Sequence, residues 1–189
     1  NHIRRTQHYV RALAEALSST PKFQDILEAD TVGLLYRSAA LHDIGKVGIP
    51  DSILLKPGRL TEEEFATMKS HTVLGYEAIK AAERGLDNTD ITFLRFAREI
   101  ALTHHERWDG KGYPHGLQGE AIPLSGRIMT VADVYDALIS ARVYKPAYPH
   151  EVAVSEIEAG RGNQFDPDVV DAFLTVADRL QEISRSFSD

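Results

Sequence analysis

Cysteine is absent from all 189 residues, which excludes disulfides, thiolate metal sites and cysteine nucleophiles. A chain without cysteine suits a reducing cytoplasm. Long apolar runs are missing as well. No stretch approaches the roughly 20 residues that a membrane helix needs, and no basic-then-apolar leader opens the chain. Membrane contact is therefore not expected of this segment. Positive charge is in short supply, with 21 Lys and Arg against 28 Asp and Glu and a formal net charge of -7. A long nucleic-acid polymer is a poor partner for such a surface, because nothing offsets phosphate repulsion globally. A small phosphorylated ligand held by local cations fits it. Period-two alternation of apolar residues is also absent, which removes the main signal of a β-sheet.

What remains is helical patterning in a chain long enough for one domain with a real core. Hydrophobic residues make up 43% and charged residues 26%, ordinary values for a globular protein. Residues 1 to 18 place Ile3, Val10, Leu13 and Leu17 at helical spacing, and this helix starts at Asn1 with no capping residue ahead of it. That abrupt start reads as a domain cut within its first helix from the C-terminal part of a longer polypeptide. A second helix from about Thr31 carries Leu34, Leu35, Ala39 and Leu41, and ends in His42-Asp43-Ile44-Gly45-Lys46, where Gly45 and Gly48 stop it. Thr61 and Glu64 form a capping box. It opens a helix to about Arg84 with Phe65, Met68, His71 and Ile79 near one face. From about Thr89, Phe93, Phe96, Ala97, Ile100 and Ala101 lead into His104-His105. Residues 125–141 and 150–159 read as further helices, and Asp166-Pro167 is an N-cap followed by proline at the first helical position. The expected fold is all-α, one domain over residues 1–189, a bundle of about seven or more helices.

Five of the eight histidines lie in or beside these apolar patterns: His2, His42, His71, His104 and His105. Asp43 and Asp133 join them, and a carboxylate among apolar residues is uncommon unless paired or metal-bound. Singly, each has a bland explanation. His71 would serve as a hydrogen-bonded core histidine, Asp133 as a cap or ion-pair partner, and His2 as a frayed terminal residue. Seven separate explanations in one small domain are less economical than one shared metal site between helices. A carboxylate bridging two ions, with imidazoles around it, makes a nitrogen and oxygen shell suited to Fe, Mn or Zn.

His42-Asp43, Gly45-Lys46, His104-His105 and Gly112-Tyr113-Pro114 together resemble the HD-GYP branch of the HD phosphohydrolase superfamily. So do the runs at 42–51 and 126–138. An HD dipeptide alone carries almost no signal; the ordered set is highly specific. The resemblance implies an all-helical fold and hydrolysis of cyclic di-GMP to linear pGpG, and in some members on to GMP, in bacterial second-messenger signalling. It implies one metal held by His2, His42, Asp43 and Asp133. A second would share Asp43 and add His71, His104 and His105. Iron is the first expectation for both ions and manganese the next. Some members hold a third ion through a Glu four residues ahead of the His2 position, which precedes Asn1, so no third ion is expected of this segment. Two close cations bridge a water and lower its pKa, giving a hydroxide for attack on phosphorus.

Lys46 lies one turn past the HD pair, where it would join His42 and Asp43 in the catalytic set and reach phosphate. Arg142 and Lys145 match the family's basic pair after the Asp133 helix and are further phosphate contacts. Surface solvation is the commoner fate of any one Lys or Arg. Tyr113 is a candidate for stacking on a base or meeting a partner, and for plain packing on its own loop. Gly110 and Gly112 shape that loop. Trp108 reads as a core plug, and Glu106 and Asp109 either orient ligand histidines or serve turns and ion pairs. A different class of function is also open: a regulatory metal-binding module that docks diguanylate-cyclase (GGDEF) domains through the Gly-Tyr-Pro loop. The resemblance further implies an upstream receiver or sensory domain, and a homodimer is open.

Overall fold

A computed structural model describes residues 1–83, 88–140 and 147–187. Among these the regular structure is helical: α1 (His2–Ser18), α2 (Ala29–Ser38), α3 (Asp51–Leu54), α4 (Glu62–Lys69), α5 (His71–Ala82), α6 (Asn88–Thr103), α7 (Leu124–Ile139), α8 (His150–Ala159) and α9 (Pro167–Ser186). No strand forms among the described residues, and the only sheet-like pairings there are two isolated bridges. The fold is all-α.

The core is organised by α1. Its apolar residues recur at three- and four-residue spacing, so Tyr9, Leu13 and Leu17 share one stripe and are fully buried. α9 lies along α1, and α2 and α7 flank it. Phe173 and Leu180 of α9, and Ile128, Met129 and Tyr135 of α7, complete the same cluster. Each such side chain withdrawn from water contributes about 1.5–3 kcal/mol. A smaller cluster, Ile79 with Leu94, Ala97 and Ala101, seats α5 on α6. Ile3, expected on the apolar stripe of α1, is instead 52% exposed.

Helix ends follow their local chemistry. Thr61 and Glu64 make the reciprocal capping box at the start of α4, and the Asp166 side chain accepts from the Asp168 amide ahead of Pro167. The helix expected from Thr61 to about Arg84 is interrupted at Ser70, so α4 and α5 are separate; Arg84 itself lies outside the described residues. The break turns Phe65 away from the core. α2 also ends earlier than its apolar pattern, at Ser38, and tightens into 3-10 turns at Ala39–Leu41 and Ile44–Gly48.

Candidate metal centre

His42 and Asp43 stand between those two 3-10 turns. The tighter winding takes Asp43 out of helical register (φ -104°, ψ 11°) and lets its carboxylate face His42 beside it and His71 and His104 from other elements. Gly45 makes this possible. A Cβ there would lie 1.9 Å from the His71 carbonyl oxygen and 2.4 Å from the Gly75 amide, so only glycine lets the turn press against α5. The sequence presented Gly45 as a helix stop; its stronger reason is this contact. His104 follows the last turn of α6, and Thr130 of α7 donates to its carbonyl at 2.9 Å.

Asp43 is the hub. Its Oδ1 lies 3.4 Å from His71 Nε2 and 3.7 Å from His104 Nε2, and its Oδ2 lies 3.3 Å from His42 Nε2. Asp43, His71, His104 and His105 present donor atoms all within 4.8 Å of one another, and His2, His42 and Asp43 form a second group of the same kind. The Nε2 atoms of His2 and His42 stand 3.3 Å apart. Asp133 borders this second group, its Oδ1 3.8 Å from His2 Nε2.

Hydrogen bonds on the far side of each ring determine what faces the centre. Nδ1 of His42 meets the Ala39 carbonyl at 2.9 Å, that of His71 the Met68 carbonyl at 2.7 Å, and that of His104 the Ile100 carbonyl at 2.9 Å. A carbonyl only accepts, so each Nδ1 carries a proton and each ring turns its Nε2 inward. Burial, with His104 and His71 nearby, pushes the His105 pKa down to about 2. Burial likewise lowers that of His71, keeping both rings neutral. Burial alone would raise the Asp43 carboxyl, but the proximity of His104 and His42 and the charge of Lys46 hold it well below the ordinary carboxylate range. For His42 burial is outweighed by Asp43 and Asp133, and its pKa rises.

Among the described residues, Asp43 Oδ1, His71 Nε2 and His104 Nε2 are buried without a hydrogen-bond partner. Converging acceptors of this kind are costly unless a cation lies between them. Oxygen and imidazole nitrogen without sulfur fit divalent Fe, Mn or Zn, so the residues present fit a pair of divalent metals.

One residue at this centre escaped the sequence reading. Asp136, on α7 one turn past Asp133, accepts from His2 Nδ1 at 2.8 Å and from Arg5 Nε at 2.7 Å. Arg5 also donates to the Ser140 hydroxyl and to the Phe187 carbonyl. Bonds from His2 and Arg5 outweigh burial and lower the Asp136 pKa. A carboxylate behind a metal-facing histidine fixes its ring and raises its basicity. The readable signal was the Asp133/Asp136 spacing, which places both on one helix face.

Lys46 Nζ is 2.5 Å from Asp43 Oδ2. The Tyr113 ring stacks on His105 at 4.8 Å and 25°, and its amide donates to the His105 carbonyl. Glu106 does not turn to a histidine: it is buried and accepts from the His115 and Leu117 amides, holding the loop closed. Asp109 pairs with Arg107 and accepts from the Lys111 amide. Gly110 takes φ +77°, and Gly112 lies against Glu106 so closely that a Cβ would clash. Trp108 is half-buried beside Arg127 rather than a core plug. Arg142 and Lys145 lie outside the described residues.

The HD domain family model matches residues 1–169. A "Cyclic di-GMP phosphodiesterase" of Vibrio cholerae is 59% identical over 188 residues, covering 100% of this chain and 38% of that protein. The "Cyclic di-GMP phosphodiesterase response regulator RpfG" of Xanthomonas campestris is 45% identical over 98% of this chain and 45% of its own length. The "3'3'-cGAMP-specific phosphodiesterase 2" of Vibrio cholerae is 39% identical over 100% of this chain and 33% of its own length. Among solved structures, an "HDG"Y"P protein from Bdellovibrio bacteriovorus" shares the fold at TM-score 0.63 and 21% identity, over 95% of this chain and 52% of that one. The chain belongs to the HD domain family. It spans less than half the length of these curated relatives.

Proposed function

We propose that this protein is a metal-dependent phosphodiesterase that hydrolyses cyclic di-GMP to the linear dinucleotide. The carrying observation is the convergence of partnerless Asp43 Oδ1, His71 Nε2 and His104 Nε2 on one point. The substrate assignment is supported by the names of relatives at 45% to 59% identity over nearly the whole chain.

In this reading His2, His42, Asp43 and Asp133 hold one ion, and Asp43, His71, His104 and His105 the other. Iron is proposed first and manganese second. When bound, two close divalent ions would supply an activated water and offset negative charge on the phosphoryl oxygens. The chain's own groups set the frame for that chemistry. The Ala39, Met68 and Ile100 carbonyls lock the rings of His42, His71 and His104, so that the Nε2 atoms need no reorganisation. Asp136 does the same for His2. Lys46 is held at Asp43, where its ammonium faces a phosphodiester as a compact positive charge. Arg142 and Lys145 join it as phosphate contacts on sequence grounds alone.

Purified protein loaded anaerobically with Fe or Mn should release linear pGpG from cyclic di-GMP. Stoichiometric metal binding with no turnover by either metal would overturn the reading. The alternative, a module docking GGDEF domains through its loop, draws no support from Tyr113, whose ring packs inward on His105. Tyr113→Ala separates the two: the substrate reading expects a changed KM, the docking reading a lost partner. A place in cytoplasmic signal transduction, an upstream receiver or sensory domain, and a homodimer are proposed with this reading. The greater length of the relatives supports the added domain.

A further inference from the structure

Beside the His104 and His105 side of the centre lies a cleft of about 370 Å³, within the range of small-molecule sites. Its composition is unlike the metal shell. Phe65 stands at its edge with 46% of its surface exposed. Tyr113 meets Phe65 edge-to-face at 6.2 Å, while stacking on His105. Lys69 places Nζ 5.2 Å from the Phe65 centroid and 5.8 Å from that of Tyr113. No carboxylate pairs with Lys69 among the described residues. The other cations on this wall differ: Arg107 is spent on Asp109, and Lys111 lies out in solvent.

Here an exposed aromatic ring carries beside it an ammonium that no carboxylate among the described residues neutralises. It matches the requirements of a purine. Aromatic faces stack on any base. The edge contact discriminates, because guanine presents two acceptors there, N7 and O6, whereas adenine presents one acceptor and the N6 donor. An ammonium has donors only. Lys69 is therefore complementary to guanine and repelled by the amino group of adenine.

We infer that the cleft lined by Phe65 and Tyr113 is a base subsite in which Lys69 selects guanine over adenine. It rests on the cyclic dinucleotide reading above and adds the determinant of base identity. One phosphodiester of the ligand lies at Asp43 while a base reaches along the cleft wall past His105. Lys69 acts on binding and not on the reacting phosphorus.

The experiment compares the KM for cyclic di-GMP with the inhibition constant for cyclic di-AMP, in the metal-loaded protein and in Lys69→Met, Lys69→Arg and Phe65→Ala. Wild type should favour the guanine ligand. Lys69→Met should raise the KM for cyclic di-GMP about tenfold, as expected for one lost base-edge contact, and leave less of a gap to cyclic di-AMP. Lys69→Arg should restore the gap. Phe65→Ala should weaken both ligands alike, since stacking tolerates any base. A Lys69→Met protein with the same guanine preference as wild type would overturn the inference, as would equal weakening of both ligands. Wild-type protein that cleaves bis(p-nitrophenyl) phosphate and neither turns over nor binds cyclic di-GMP removes the substrate reading and the inference with it.

Discussion

Asp136 Oδ2 lies 2.8 Å from His2 Nδ1, so a residue on α7 sets the direction in which the first turn of α1 presents an imidazole. The same carboxylate is gripped by buried Arg5 at 2.7 and 3.1 Å. Asp136→Asn keeps an acceptor but removes the charge. Metal affinity at the His2 side should fall roughly 10- to 100-fold, the usual cost of losing such a partner. Competition titration with a chromophoric chelator measures this. Full affinity in Asp136→Asn would show that His2 needs no support from behind.

Asp43 is shared by both groups of metal-ligating side chains, so metal binding should stabilise the fold measurably. At ion concentrations about 100 times the dissociation constant the gain is about 2.7 kcal/mol. In a chain of this size that is on the order of 5–10 °C in Tm. Asp43→Ala should abolish the shift, and differential scanning fluorimetry with and without Mn or anaerobic Fe tests it. A shift that survives in Asp43→Ala would place the ions elsewhere.

Two glycines make opposite predictions. A Cβ on Gly45 meets backbone at 1.9 Å, whereas one on Gly33, inside α2, meets nothing within 4 Å. Gly45→Ala must separate the HD turn from α5, costing about 1–3 kcal/mol or more and weakening metal retention. Gly33→Ala should stabilise by roughly 0.5–1 kcal/mol, because alanine is the better helix former. Urea unfolding of both variants settles the pair.

His8 gives a pH dependence away from the metal centre. Its ring stacks on Phe187 at 4.9 Å with its edge toward Tyr36. Burial, then Arg11, Arg179 and Arg4, lower its pKa below 6.5. The unfolded chain thus binds the proton more readily, and the contribution of His8 is complete above about pH 6.5 and declines as pH falls below it. His8→Phe, which keeps the stack without titrating, should lose less stability than wild type between pH 7.5 and 5.5. An NMR titration placing His8 at or above 6.5 would contradict this.

Local rules carried much of the fold. The Thr61 capping box, the Asp166-Pro167 start and the apolar stripe of α1 depend on neighbours within a turn or two, and such features can be read from a chain. The histidines and Asp43 were legible as a set because isolated bland roles became uneconomical. Asp136 was not, because its meaning depends on Arg5 and His2, more than 130 residues away. Phe65 does not share a continuous face with His71 and Ile79, because the break at Ser70 resets the helical phase between them. Gly45 was noticed for what glycine does to a helix, while its tighter constraint comes from His71 across the fold.

The bond between His2 and Asp136 closes a span of 134 residues, and Arg5 reaches the Phe187 carbonyl across 182. The His2 group is therefore held in place only while α1, α7 and the end of α9 stay docked together, whereas Asp43, His71, His104 and His105 come from a much shorter stretch of the chain. Loosening of either end of the chain would be felt first at the His2 side of the centre.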